Sequence, residues 1–599
     1  MLASERSPKR RVATKILQLR WRRSVAVAVC GGLGLLFPAA FGTWQGVPHP
    51  LIHDEFSYLL GADTFAQGRL TNPALAFPDF FEAPHVLVAP SYASKYPPGQ
   101  ALFLALGQVA GEPIWGVWLS CGLFAASLCW MLQAWTSRKW AIVVTVVAIM
   151  TLGTSTYWAQ SYWGGMVAAA AGALVLGALR RTLRRPRLVT SLTMAAGVLL
   201  LANSRPFEGL LLCLPVALVL ATWLTGRGRG ALRTRLALWL VPFGIVLTIG
   251  AGIMLAYNQA VTGRAWRTPY DLHVEQYQDI GVFLFSSSQE PGRVPTTRVR
   301  DFYEGFMFPP GVLSGPDIAL RASVNAVGRL LGALLSAFGL NPPPAPGQPP
   351  FRGVLLASVM LMALSRRLSS RDSIVFLSVA AAVEGLIWFF APYPTSLWVP
   401  VLLIGVALLL RMSRTSAWLR FIYATVCVVV IGQSLVWWWQ PHYAAPIVPL
   451  VLAAAGILLR RRAIASSLSR AGGPAGVALA ACVCIHATSL LLLYGFLRVE
   501  GVPDGLSRAS LERQLASMDG RHLVFLSYGP SFPENLEWVY NGADLETARV
   551  VFAHDRGDNL NQSLIAAFSG RHVWSAQVAA EGYNLSRYEP GKNRSPTSR

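Results

Sequence analysis

Long apolar runs alternate with short polar segments along most of this chain. The runs are about 16–22 residues long, enough for a helix to cross a hydrocarbon core of about 30 Å. The pattern predicts an all-α polytopic membrane protein with about 13 transmembrane helices. The predicted spans lie near 24–43, 114–135, 140–158, 163–180, 188–203, 207–224, 236–257, 351–365, 373–391, 396–411, 421–439, 443–460 and 475–497.

Composition agrees with this pattern. Of the 599 residues, 53% are hydrophobic and only 13% are charged, whereas a soluble globular chain carries about 25% charged residues.

The first apolar run follows a basic segment and could be a signal peptide. Its length and the lack of a cleavage box favour a retained signal-anchor.

Basic residues collect in alternate connections between the apolar runs. These connections lie at 1–23, 138–139, 180–187, 227–235, 366–372, 411–420 and 460–470, and their only acids are Glu5 and Asp372. The positive-inside rule therefore predicts a cytoplasmic N-terminus and an extracytoplasmic C-terminus. The net charge of +22 is then explained by arginines at helix ends, and nucleic acid is not a predicted partner. To keep this alternation, the apolar segment 324–340 is interpreted as a helix lying in the outer interface.

The same alternation defines the domains. Residues 1–23 form a cytoplasmic basic N-terminus, and 24–497 form a transmembrane module with a first outer loop at 44–113 and a fourth at 258–350. The pattern in residues 498–588 predicts a small extracytoplasmic α/β domain. We expect this domain to cover a cavity formed by the outer loops or to help admit an acceptor substrate. Its predicted strands are 522–527, 549–553 and 572–575, its predicted helices are 510–518 and 560–568, and 589–599 is predicted to be a disordered tail.

Ionisable and aromatic residues are concentrated in the predicted outer loops. Asp54, Glu55 and Lys95 fall in the first outer loop, and Arg205 and Glu208 lie within a turn of apolar helix ends. Ionisable groups near the membrane are costly and often functional. A structural Arg205–Glu208 ion pair is the alternative for that pair, and solvation at the interface is the alternative for the tryptophans and tyrosines.

These residue types suit glycosyl transfer from a lipid phosphate to an alcohol. The carboxylates are Asp54 and Glu55, and the cationic groups are Lys95, Arg205 and His442. Arginine and lysine bind phosphate oxygens and stabilise a phosphate leaving group. A carboxylate nearby can take the proton of an incoming hydroxyl. We therefore predict that Asp54 is the general base.

The first-loop residues also carry a family resemblance. Asp54-Glu55 with Tyr58 just after the first apolar run, followed by Lys95–Gly99 (Lys-Tyr-Pro-Pro-Gly), resembles the GT-C glycosyltransferases. The most similar branch is family 39 with the ArnT-like and protein-mannosyltransferase-like enzymes. The resemblance covers most of the membrane region and implies a polyprenyl-phosphate-linked sugar donor.

The resemblance implies roles for particular residues. It implies that Asp54 is the catalytic base and that Lys95 contacts the lipid phosphate. His442-Tyr443 stands where many relatives have Arg-Tyr and would help to hold the donor, although histidine is only conditionally charged. The remaining predicted substrate-binding residues are Tyr58, Tyr96, Tyr162 and Glu208.

No cofactor is predicted, although a bound divalent metal ion is kept as an alternative. His53, Glu55, Glu82 and His85 are ligand types for such an ion, but they lack tight spacing, and the resembling protein-mannosylating enzymes work without metal.

The main alternative function is a transporter or flippase of lipid-linked sugars, which would place ionisable residues near the bilayer midplane. Arginine-rich usage indicates a GC-rich bacterial genome and thus the inner (plasma) membrane. The predicted acceptor is an envelope glycan, a lipid or a protein.

Overall fold

The computed structural model describes residues 8–307, 417–468 and 507–591, with short gaps at 154–155, 227–228, 279–280, 284–285, 287–291, 293–295, 434, 437–439, 531, 534–535 and 580. Four predicted spans, near 351–365, 373–391, 396–411 and 475–497, lie outside these residues, as do the predicted interface helix 324–340 and most of the predicted tail.

The described chain is mostly helical. Its helices are α1 Pro8–Gln45, α2 His53–Ala66, α3 Pro78–Phe81, α4 Pro98–Ala110, α5 Pro113–Trp135, α6 Arg138–Leu152, α7 Met166–Arg184, α8 Leu188–Ala202, α9 Pro206–Leu224, α10 Arg229–Arg235, α11 Val241–Thr262, α12 Pro269–Tyr277, α13 Thr297–Arg300, α14 Ala417–Gln433, α15 Val448–Leu468, α16 Arg508–Ala516 and α17 Asp558–Ala567. Three further helical segments of the described residues are not α-helical: π-helical turns at Leu236–Leu240 and Asp301–Met307, and a 3₁₀-helix at Pro441–Ile447.

Five helical stretches in the described residues are long and apolar enough to cross a membrane. They are Arg22–Gln45, Pro113–Trp135, Met166–Arg184, Pro206–Leu224 and Leu232–Thr262, and each overlaps a predicted span. Leu188–Ala202, Ala417–Gln433 and His442–Ile457 are apolar but shorter. The helical, membrane-type architecture is thus present, while the described residues do not establish 13 spans.

The predicted span 140–158 is shorter in the structure. Helix α6 ends at Leu152, where Gly153 takes the C-cap position. The residues that follow are mostly small or polar; Gly153 and Thr156 lie in bends, residues 157–159 form a turn, and Trp158 is fully buried. The Gly-Thr-Ser-Thr segment directly after Leu152 is a local signal for a helix end, and the predicted span continued through it.

The first outer segment, predicted as a loop, contains its own folded elements. Helices α2, α3 and α4 enclose a small antiparallel sheet in the order β1-β3-β2, formed by β1 Asn72–Pro73, β2 Val86–Leu87 and β3 Ser91–Ser94. Helices α2 and α4 pack against each other, and α4 packs against α5. The candidate site residues therefore lie on a folded platform joined to the helical bundle.

Small residues on α7 allow close packing in the bundle. Ala168–Ala171 are buried in the largest hydrophobic cluster, together with side chains of α5 and α6. A Cβ atom at Gly172 would lie only 2.1 Å from the carbonyl oxygen of Pro446. This glycine thus lets the 3₁₀-helix Pro441–Ile447 approach α7, as small residues commonly do between membrane helices.

The C-terminal region folds into a four-stranded sheet with helices α16 and α17. The strands are β4 His522–Tyr528, β5 Val550–His554, β6 His572–Ala579 and β7 Gly582–Arg587, in the order β5-β4-β6-β7. Strands β5, β4 and β6 are parallel, and β7 pairs antiparallel with β6. The central strand β4 has the buried apolar run typical of parallel sheets. The predicted strands and helices overlap these elements, and β7 is an addition.

The C-terminal domain packs directly on the first outer segment. One hydrophobic cluster contains Phe56, Phe80 and Phe81 from that segment and Leu523 and Phe525 from β4. Because the two regions share a core, the sheet holds the platform that carries the candidate site.

Candidate active site

Asp54 and Glu55 lie in the first turn of α2. The Glu55 carboxylate accepts hydrogen bonds from the backbone N–H groups of Leu51 (2.8 Å) and Ile52 (3.2 Å). It therefore caps the helix, and both acids lie where the helix dipole favours negative charge. Asp54 takes no part in this cap, and it lines the cavity described below.

Lys95 is positioned by the small sheet. The Ser57 hydroxyl of α2 donates to the carbonyl oxygen of His85 (2.7 Å) and lies 2.8 Å from the Ser94 hydroxyl. These bonds join α2 to the end of β3. Lys95 follows β3 directly, so it is brought to the same side of the platform as Asp54.

A glycine brings Arg205 beside the Lys95 loop. The backbone N–H of Gly99 donates to the carbonyl oxygen of Asn203 (2.6 Å), and a Cβ atom at residue 99 would lie 2.5 Å from that oxygen. Only glycine permits this approach. Arg205 follows shortly after and precedes Pro206, which begins α9.

Arg205 also contacts the 3₁₀-helix. Its guanidinium carbon lies 4.6 Å from the ring centroid of Tyr443, within the range of a cation–π interaction. The close packing of this helix on Gly172 therefore places Tyr443 at the site.

A cavity of about 540 Å³ gathers most of the predicted site residues. Its walls include Asp54, Tyr58, Lys95, Tyr96, Arg205, Glu208 and Tyr443. Further polar groups come from Asn203, Ser204, Tyr270, Asp271, Gln278 and Gln440, and apolar side chains come from Phe207, Met254, Val282, Phe283, Met307 and Val436.

Aromatic rings enclose the lysine. The Lys95 Nζ atom lies 4.8 Å from the ring centroid of Tyr270 and 5.2 Å from that of Tyr96. Tyr96 in turn stacks on Tyr58, with ring centroids 4.5 Å apart. The ammonium is almost fully buried, and the negative faces of the rings offset part of its desolvation.

Asp54 and Lys95 change each other's acidity. Burial raises the pKa of Asp54. The hydrogen bond from Tyr96 and the positive charges of Lys95 and Arg205 lower it, but by less than burial raises it. Burial lowers the pKa of Lys95 to about 7, against the negative charge of Asp54. A carboxyl with a raised pKa beside an ammonium with a lowered pKa is an arrangement found at functional sites.

The two cations have no close carboxylate partner among the described residues. Neither Lys95 nor Arg205 has a carboxylate oxygen within 4.0 Å, so the alternative Arg205–Glu208 ion pair is not formed. Two positive charges in a shared cavity are therefore available to an anionic ligand. The ion pairs that the described residues do form are Arg267–Glu275, Arg298–Glu537 and Arg508–Glu512.

Three predicted site residues do not line the cavity. Glu55 is engaged with backbone N–H groups, including that of Tyr162 (3.1 Å). The Tyr162 hydroxyl donates to the carbonyl oxygen of Pro48 (2.9 Å), and the Nδ1 atom of His442 lies 2.8 Å from the Tyr157 hydroxyl. These contacts give all three side chains structural partners behind the cavity wall.

The residues considered as metal ligands do not converge. The rings of His53 and His85 meet edge to face, 5.5 Å apart between centroids. Glu82 accepts a hydrogen bond from the backbone N–H of Thr296 (2.6 Å). Within the described ranges, no group of three or more His, Cys, Asp or Glu side chains is placed to hold a metal ion.

Tyr270 belongs to a polar and aromatic cluster that the sequence places in the fourth outer loop, but it was assigned no role in the predicted site. It lies near the start of α12, where Thr268 caps the helix by accepting from the N–H of Asp271 (3.1 Å). A Thr-Pro-x-Asp cap is visible in the sequence and predicts the helix start. It does not predict that Tyr270 faces Lys95, because that contact joins two distant segments.

Comparison with known proteins gave no relatives. No family model matches the chain, and no curated protein or solved structure matches it either. The functional argument therefore depends on the site itself.

Proposed function

We propose that this protein is a membrane glycosyltransferase that moves a sugar from a polyprenyl-phosphate-linked donor to a hydroxyl acceptor. The observation that carries the proposal is one cavity that contains the Asp54 carboxylate and two cations, Lys95 and Arg205, without close carboxylate partners among the described residues. This is the combination that a phosphate-leaving transfer needs.

In the proposed reaction, the acceptor oxygen attacks the anomeric carbon of the donor sugar. Asp54 takes the proton of the attacking hydroxyl. The bond between the anomeric carbon and the phosphate oxygen breaks, and its electron pair leaves with the lipid phosphate. Lys95 and Arg205 stabilise the charge on that phosphate, so no second carboxylic acid is required.

The apolar part of the cavity wall supports a lipid-linked donor. Met254 lies on α11 eight residues before its last residue, Thr262, which corresponds to about 12 Å along the helix. The cavity therefore reaches from the polar platform down the side of an apolar helix. A ligand with a charged phosphate and a hydrocarbon chain matches both parts.

The distribution of basic connections supports an active site on the extracytoplasmic side of a bacterial inner membrane. The Arg-rich connections 138–139, 180–187 and 227–235 would then face the cytoplasm. The platform and the C-terminal domain would face the periplasm or its equivalent, where an envelope glycan, a lipid or a protein can serve as acceptor.

The test uses the full-length protein in proteoliposomes with lipid-linked sugars extracted from the source membranes. Mass spectrometry of envelope glycans with and without the gene identifies the sugar and the acceptor. We expect donor consumption with product formation by the wild type, and a loss of about 100-fold or more for Asp54→Asn. Asp519→Asn, which changes an exposed carboxylate of the C-terminal domain, is the matched control.

Two results would count against the proposal. If the Asp54→Asn variant transfers sugar at the wild-type rate, Asp54 is not the general base. Movement of lipid-linked sugar across vesicles without any transfer would support the transporter alternative instead.

A further inference from the structure

A tyrosine of the C-terminal domain contacts His53 and Phe56, the residues on either side of the Asp54-Glu55 pair. The Tyr540 hydroxyl donates to the carbonyl oxygen of Pro84 (3.1 Å) and lies 3.2 Å from the Nδ1 atom of His53. Its ring stacks on Phe56, with centroids 4.4 Å apart and planes 4° apart. His53 precedes Asp54 and Phe56 follows two residues after it, so one side chain holds the first turn of α2 on both sides of the proposed base.

The hydrogen-bond pattern determines the tautomer of His53. A tyrosine hydroxyl has one hydrogen, which Tyr540 gives to Pro84, so the hydrogen shared with His53 must belong to Nδ1. Burial, together with the nearby charges of Lys95 and Arg298, lowers the pKa of His53 to about 3. The imidazole is therefore neutral and donates from Nδ1 to Tyr540. Removing the tyrosine hydroxyl would leave this buried donor without its partner.

Tyr540 is itself held in place by further contacts. Arg508 donates to the carbonyl oxygens of Trp538 (3.0 Å) and Tyr540 (2.7 Å). Its guanidinium carbon also lies 4.9 Å from the ring centroid of Phe56. These contacts hold the backbone around Tyr540 against α16 and Phe56.

A second bond ties the same segment to the far part of α2. The backbone N–H of Ala543 donates to the Asp63 carboxylate (2.6 Å), which also accepts from the side-chain amide of Gln108 (2.7 Å). The C-terminal domain thus contacts α2 near both ends. Two contacts separated along the helix restrict its tilt and its shift more than a single contact would.

We propose that Tyr540 is a positioning residue, through which the C-terminal domain holds the first turn of α2 so that the Asp54 carboxylate points at Tyr96 and the cavity. The proposal rests on the proposed function of Asp54. The physical reason is that the first turn of a helix lacks intrahelical partners for its N–H groups and opens easily unless outside contacts hold it.

Tyr540→Phe in the full-length protein tests this role, since phenylalanine keeps the stack on Phe56 and removes the hydroxyl. We expect kcat to fall about 10-fold, because a small misplacement of a catalytic group is costly, while the donor KM stays within about 2-fold. Hydrogen exchange of residues 53–58 should become faster. Tyr583→Phe is the matched control, since its hydroxyl bonds to Gln514 within the same domain and is exposed.

Phe56→Leu removes the stack from the other side, and we expect it also to accelerate exchange of residues 53–58. If Tyr540→Phe leaves both kcat and this exchange at the level of Tyr583→Phe, the positioning role is overturned. If the wild-type protein shows no transfer at all, the proposed function fails instead. The exchange comparison then decides by itself whether Tyr540 holds this turn.

Discussion

Tyr96 donates its phenolic hydrogen to the carboxylate of Asp54, although 42 residues separate the two in the chain. The bond joins the first turn of α2 to the loop that carries Lys95. A hydrogen bond to a carboxylate favours its ionised form. The same loop therefore supplies the cation for the proposed leaving phosphate and keeps the proposed base able to accept a proton.

Replacing Tyr96 by phenylalanine should make Asp54 harder to ionise. Burial already raises the pKa of Asp54, and the bond from Tyr96 opposes that rise. Without the bond the pKa rises further, so the acid limb of kcat/KM should move up by about 1 pH unit. The pH profile of transfer measures this shift, with Tyr583→Phe as the control. An unchanged acid limb would show that the Tyr96 hydroxyl does not affect the ionisation of Asp54.

Donor capture should weaken as the pH rises through about 7. Burial lowers the pKa of Lys95 to about 7, so its ammonium is charged below that pH and neutral above it. The alkaline limb of kcat/KM for the donor should therefore fall in this range in the free enzyme. Lys95→Arg keeps its charge at all these pH values and should lose that limb, while Lys95→Met should be poor throughout. An unchanged alkaline limb in Lys95→Arg would contradict the assignment.

Arg205 should contribute mainly to donor affinity. Arg205→Gln removes a charge that lies over the Tyr443 ring, and the donor KM should rise about 10-fold, as expected for a lost bond to a charged group. Tyr443→Phe keeps the ring face and should change KM by no more than about 2-fold, whereas Tyr443→Ala should weaken binding more. Donor titrations give these values, with the exposed Arg521→Gln as control. Equal KM for Arg205→Gln and Arg521→Gln would exclude a phosphate contact.

Glu55 should matter for stability more than for chemistry. Its carboxylate accepts from the backbone N–H groups of Leu51, Ile52 and Tyr162. Glu55→Gln should lower the free energy of unfolding by about 1–2 kcal/mol, as for loss of a helix cap with buried acceptors. Thermal melts in detergent measure the loss, and kcat of the folded enzyme should stay near wild type. Loss of kcat without loss of stability would instead indicate a chemical role, and the exposed Glu546→Gln is the control.

The sequence and the structure agree most where the signal is local. Apolar runs predicted each of the five long helices, because a membrane-spanning helix requires a run of consecutive apolar residues that is visible in the sequence. Strands 522–527 and 549–553 were equally visible, since a buried parallel strand is a short apolar run. The end of α6 at Leu152 was not predicted, although the Gly-Thr-Ser-Thr segment that follows it is a local signal for a helix end.

The candidate site also combines residues that the sequence identified correctly with residues that only the structure could place. Asp54, Lys95 and Arg205 were recognisable as unusual ionisable residues, and the cavity contains all three. Glu55 is as acidic as Asp54, yet it faces the backbone of its own helix start, because adjacent residues on a helix point in different directions. His442 and Tyr443 divide in the same way, with Tyr443 at the cavity and His442 behind it.

The amino-acid sequence by itself determined the apolar helices, the separate C-terminal α/β region and the set of ionisable residues from which a site could be built. Only the tertiary structure decided which of them meet. Contacts such as Gly99 with Asn203 and Tyr540 with His53 join segments that no local pattern connects. Hydropathy and helix signals act over a few residues, whereas a cavity depends on side-chain directions and close approaches between distant parts of the chain.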